Sequence, residues 1–121
     1  MEKALLFTSQ VIERVIQKLI CDFEKMNSVP IKHAVLFGSC ARGNWNQESD
    51  MDIAVLLDVP INEIRKYDDV FCLEDVKLET EYVSALVNFL SVSYEDFEKN
   101  KKWNPLYQNI LKEGKVIYTR T

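Results

Sequence analysis

Apolar residues recur at intervals of three and four between Thr8 and Met26: Val11, Ile12, Val15, Ile16, Leu19, Ile20 and Phe23. That spacing lines one face of a helix. Asn27-Ser28-Val29-Pro30 ends it. The pattern then changes to a short continuous apolar run, Ala34-Val35-Leu36-Phe37, closed by Gly38, as expected of a buried strand. Ser39 is placed to cap a helical turn reaching Arg42, with Gly43-Asn44 ending it. A second strand is predicted over Asp52–Leu57. After Pro60, an imperfect stripe of Ile61, Ile64, Val70, Phe71, Leu73, Val76 and Leu78 predicts a long helix. A third strand is expected over Ser84–Val92. Short helices over Tyr94–Asn100 and Pro105–Lys112 follow, the second with proline in its first turn and Gly114 at its end. Val116-Ile117-Tyr118 adds a terminal strand. Helices alternating with strands indicate an α/β or α+β sheet domain.

A chain of 121 residues is the size of one domain, so residues 1–121 are read as a single unit. With 47% hydrophobic and 28% charged residues it has the balance of a soluble globular protein. A net charge of -4 argues against an extended nucleic-acid surface, which needs clustered cations, although it leaves room for a small anion site. The local cluster Lys99, Lys101 and Lys102 is read as a solvated helix end. Cys21, Cys40 and Cys72 are odd in number and widely spaced, and His33 is the single histidine, so no zinc set assembles. Free thiols in a reducing compartment are the simplest account. The start of the chain is amphipathic, and no apolar run approaches the roughly 20 residues that span a bilayer. The expectation is a cytoplasmic protein with no membrane contact.

The candidate chemistry lies between Gly38 and Asp52. Asp50 and Asp52 are two apart at the mouth of a strand, so alternation turns both side chains to the same face, with alpha carbons about 6.6 Å apart. Two convergent carboxylates suit a hard cation such as Mg²⁺, whose other ligands are water and phosphate. Upstream, Gly38 allows close backbone approach to a ligand, the amides that open a helical turn favour anions, and the Ser39 hydroxyl adds a donor. Arg42, one turn on, carries a planar fork able to hold phosphate. Taken singly, each has an ordinary structural role as turn, cap, surface charge or solvated loop. Taken together, they bring phosphate donors and metal ligands to one edge of neighbouring strands, the arrangement that in-line attack on an α-phosphate requires.

Gly38-Ser39, ten intervening residues and Asp50-Met51-Asp52 resemble the signature of the DNA polymerase β-like nucleotidyltransferase superfamily. The fuller strings Gly38-Ser39-Cys40-Ala41-Arg42-Gly43 and Ser49-Asp50-Met51-Asp52-Ile53 are similar to its minimal nucleotidyltransferase branch, and Asn104–Ile110 with Glu113-Gly114 looks like the tail of such proteins. The resemblance implies a small mixed sheet flanked by helices. It implies that Gly38 and Ser39 hold the β- and γ-phosphates of ATP and that Asp50 and Asp52 are catalytic ligands of Mg²⁺. Minimal members often pair with a helical HEPN ribonuclease as antitoxin and toxin and adenylylate a tyrosine of that partner, so the implied acceptor is a protein hydroxyl.

The sequence departs from the pattern at one position. The family usually supplies a third carboxylate from the next strand, and Asn88 stands where that aspartate is often found. Asparagine ligates metal through its carbonyl but accepts no proton at neutral pH. Glu79 and Glu81 are the candidate replacements. A contact-only antitoxin that binds nucleotide but transfers poorly is therefore the competing reading. Aminoglycoside transfer is disfavoured, because 121 residues leave little room for a further substrate domain. His33 and Trp45 are assigned packing roles, Trp103 and Tyr107 contacts with the domain or a partner, and Cys40 no chemical role.

Overall fold

The computed structural model describes residues 8–71 and 87–120. Helix α1 covers Ser9–Lys25, strand β1 Ile31–Phe37, the short helix α2 Ser39–Arg42 and strand β2 Met51–Leu57. A 3₁₀ helix over Ile61–Tyr67 follows, then strand β3 (Val87–Ser93), helices α3 (Tyr94–Asn100) and α4 (Pro105–Glu113), and strand β4 (Lys115–Thr119). The strands form one mixed sheet in the order β3-β2-β1-β4. β1 is antiparallel to both β2 and β4, whereas β2 and β3 run parallel.

Both faces of the sheet are covered, which explains the continuous apolar runs. Alternation in β2 sends Met51, Ile53, Val55 and Leu57 toward α1, where Val11, Val15, Leu19 and Phe23 pack against them. Ala54 and Leu56 turn the other way, with Val35, Val92, Phe97, Tyr107 and Ile110, under α3 and α4. The N-termini of these helices carry the expected oxygen caps. The Thr8 hydroxyl accepts from the Val11 amide at 3.2 Å, and Asn104 accepts from the amides of Leu106 and Tyr107 at 2.9 and 3.2 Å. The Ser93 hydroxyl accepts from the Asp96 amide at 3.3 Å and donates to the Val59 carbonyl at 2.6 Å.

The long helix expected after Pro60 is corrected at its start. Residues 61–67 are a 3₁₀ helix, and α-helical backbone begins only at Asp68. Ile61, Ile64 and Tyr67 are three apart, a spacing that three residues per turn aligns better than 3.6. Ile64 and Tyr67 pack on the core, while Ile61 is 61% exposed. Leu73, Val76 and Leu78, the proposed carboxylates Glu79 and Glu81, Cys72 and the stretch Ser84–Leu86 of the expected third strand lie outside the described residues. Among the described residues no helix is long and apolar enough to cross a membrane.

Arg120 joins the end of the fold to its beginning. Its guanidinium donates to the carbonyls of Phe23 and Val29, each at 2.6 Å, and to that of Met26 at 3.3 Å. A cation on the last carbonyls of α1 also opposes the negative end of the helix dipole. Replacing Arg120 with alanine is expected to cost about 2–3 kcal/mol, because hydrogen bonds from a charged donor are lost together. Thermal unfolding should show a fall of roughly 10 °C. An unchanged melting temperature would mean that water replaces the clamp.

Candidate active site

Four chain segments meet at one end of the sheet. β1 ends at Phe37, which stands opposite Asp52 near the start of β2. Because β3 runs parallel to β2, it also starts at this end, with Asn88 opposite Asp52. β4 starts here too, with Lys115 opposite Leu36. Asp52 shares the face of Ala54 and Leu56.

Gly38 adopts φ 77°, ψ -158°, a conformation essentially confined to glycine. The Asp52 carboxylate lies against its α-carbon, so that a β-carbon at Gly38 would collide with Asp52 Oδ2. The other oxygen, Oδ1, accepts a hydrogen bond from Asn88 Nδ2 at 3.2 Å. Asp52 is thus held between the turn after β1 and the side chain of β3.

The Gly38 turn opens α2, but Gly38 itself occupies the cap and Ser39 is the first helical residue. The expectation that Ser39 caps the turn is corrected, since no side-chain cap bond forms there. Gly43, left-handed at φ 86°, closes the turn as expected. Cys40 is buried, and its thiol donates to the Asp50 carbonyl at 3.5 Å, tying α2 to the residue before β2. Burial and then the charge of Asp52 push this thiol up to about 11, with a smaller contribution from Asp50. It therefore stays protonated at neutral pH, and both carboxylates act on one atom of α2.

Arg42 ends α2, and its Nη1 donates to Glu113 Oε2 at 2.9 Å. The partner expected of Arg42 is phosphate; the partner observed is the carboxylate of Glu113, a residue with no expected site role. The pair joins residues 71 positions apart, and no local pattern signals it. On the far side of the site, a depression of about 340 Å³ along β3 is lined by Asn88, Phe71 and Asp68.

The remaining candidates are structural. Nδ1 of His33 meets the Thr119 hydroxyl at 3.1 Å, and its ring lies 5.6 Å from that of Tyr94. Trp45 packs against the α1 side of the core. The Tyr107 hydroxyl donates to Asp96 at 2.6 Å, and burial followed by this bond raises it to about 12. Trp103 is exposed.

Among the described residues no cluster of three or more His, Cys, Asp and Glu forms a metal cage. Two carboxylates at a strand mouth nevertheless fit Mg²⁺, which is commonly bound by one or two carboxylates with waters and substrate phosphates. Asp50 and Asp52 would hold it.

Comparison with known proteins agrees with this geometry. Residues 17–121 match the family described as "Polymerase beta, Nucleotidyltransferase". The chain is 33% identical over 106 residues to the "Putative protein adenylyltransferase MJ0604" of Methanocaldococcus jannaschii, covering 88% of this chain and 97% of that protein. A mutant form of the toxin–antitoxin MntA–HpeT superimposes with a TM-score of 0.52 at 25% identity, over 90% of this chain and 73% of the other. A toxin–antitoxin crystallised with AMP-PNP gives 0.51 at 22% identity, over 90% and 74%, and shows the shared fold. With the Gly38 turn and the mixed sheet in place, this chain belongs to the polymerase β nucleotidyltransferase family.

Proposed function

We propose that this nucleotidyltransferase binds Mg-ATP and transfers AMP to a hydroxyl group of a HEPN-type toxin partner, acting as the antitoxin in the cytoplasm. The observation that carries the reading is the seating of Asp52 directly on the glycine of the Gly38-Ser39 turn. A metal-binding carboxylate and a phosphate-binding turn in contact are what a bound triphosphate needs. The adenylyltransferase named in the archaeal relative supports AMP as the group moved and protein as the acceptor. The toxin–antitoxin neighbour at 25% identity supports a toxin partner.

In this reading the Gly38 turn and Ser39 hold the β- and γ-phosphates, and Arg42 offers the guanidinium N–H groups that Glu113 leaves unused. Asp50 and Asp52 hold Mg²⁺, which when bound neutralises charge on the triphosphate. The acceptor oxygen attacks the α-phosphorus, a new P–O bond forms, and the bond to pyrophosphate breaks. The hydroxyl proton leaves to water, because Asn88 cannot accept it.

A second reading is favoured by the Asn88–Asp52 bond. An amide in place of the third carboxylate forgoes a general base usually worth about 10²–10⁴-fold, leaving a nucleotide-binding antitoxin that neutralises by contact. One experiment separates the two. The protein is incubated with α-labelled ATP, Mg²⁺ and a HEPN-type protein encoded beside its gene. Label on a partner hydroxyl, accompanied by loss of toxicity, supports transfer. Neutralisation without label would sink it in favour of contact.

A further inference from the structure

Arg42 and Glu113 each sit on a fixed piece of the fold. Arg42 is one turn above Gly38, its amide donating to the Gly38 carbonyl at 3.0 Å, and the Cys40 thiol ties the same turn to Asp50. Glu113 is the last residue of α4. The next residue, Gly114, packs so closely that a β-carbon would strike the Ile110 carbonyl and the Val35 side chain. After it, Lys115 pairs with Leu36, two residues before Gly38. The carboxylate that meets Arg42 is thus anchored to the strand that delivers the phosphate turn. One guanidinium nitrogen, Nη1, is engaged, and the fork has five N–H donors in all.

We propose that Glu113 is a positioning residue for nucleotide binding, fixing the Arg42 guanidinium beside the Gly38-Ser39 turn before a triphosphate arrives. This rests on the reading of Arg42 as a phosphate ligand. An arginine left free must lose its rotamer freedom at each binding event, whereas one already held by a carboxylate has lost much of it. Two other roles predict different results. A merely structural surface pair contributes little and would leave nucleotide affinity unchanged. A carboxylate that competes with phosphate for Arg42 would weaken binding, so removing it would tighten the complex.

The test is calorimetric titration of the full chain with AMP-PNP at constant Mg²⁺. Glu113→Ala is expected to raise Kd about five- to tenfold, the effect of freeing one long side chain. Glu113→Gln keeps an acceptor for Nη1 and should recover most of the affinity. In an Arg42→Ala background, Glu113→Ala should change nothing more, since coupled residues share one effect. Unchanged or tighter binding by Glu113→Ala overturns the proposal, as does an equal loss in the Arg42→Ala background. Absence of AMP-PNP binding by the unaltered protein overturns the nucleotide reading and this proposal with it.

Discussion

Replacing Asp52 with asparagine is expected to lower AMP transfer by at least roughly 10³-fold while leaving the fold in place. The substitution is isosteric, and Asp52 is flanked by Met51 and Ile53, which are fully buried and hold β2 in register from the opposite face. What changes is one negative charge at the atom pair that meets Gly38 and Asn88. Charge stabilisation by a catalytic metal is worth several kcal/mol, and about 4 kcal/mol corresponds to the stated factor. Labelled transfer to the partner measures the rate, and circular dichroism with a melting curve checks the fold. Activity within tenfold of the unaltered protein would remove Asp52 from the proposed metal set.

Substituting alanine for Gly38 should be nearly as damaging, by a different route. The backbone at φ 77°, ψ -158° costs an L-residue about 1–3 kcal/mol, so stability falls by that amount. The added carbon also collides with Asp52 Oδ2. The carboxylate must move, and a displacement near 1 Å in a reacting constellation costs about 10²-fold. A lower melting temperature with transfer reduced about 10²-fold is the expected pair of results. A stable variant with full activity would show that the turn adopts another conformation when nucleotide is bound.

Much of this architecture was legible in the sequence because local rules coincide there with the tertiary structure. The three-and-four spacing from Val11 to Phe23 gave α1 within a residue at each end. Tyr94–Asn100 is read at its observed limits, whereas the turn expected behind a Ser39 cap starts one residue earlier, because Gly38 takes the cap position. β1 was read too short, from Ala34. Its first three residues, Ile31, Lys32 and His33, mix apolar and polar side chains, and they are strand because β2 and β4 pair with them. The place of Asp52 at the mouth of β2 could be inferred from the apolar run that follows it, whereas the parallel pairing that sets Asn88 opposite Asp52 could not, because it joins residues 36 positions apart. The grip of Glu113 on Arg42 could not, because it depends on how α4 returns across the sheet. Nor could the thiol of Cys40 on Asp50, since a buried cysteine looks locally like any small apolar residue.

The Arg120 clamp also bears on the order in which the molecule assembles. Its bond to Phe23 spans 97 positions, whereas Phe37 and Asp52, which pair across β1 and β2, are 15 positions apart with α2 between them. Loop-closure entropy rises with the length enclosed, so the β1–β2 pair can form early, while the clamp must wait for both chain regions to be nearly native. Contacts made that late act on the escape from the folded state rather than on its approach. Loss of Arg120 therefore shortens the lifetime of the folded molecule and leaves its refolding rate almost untouched.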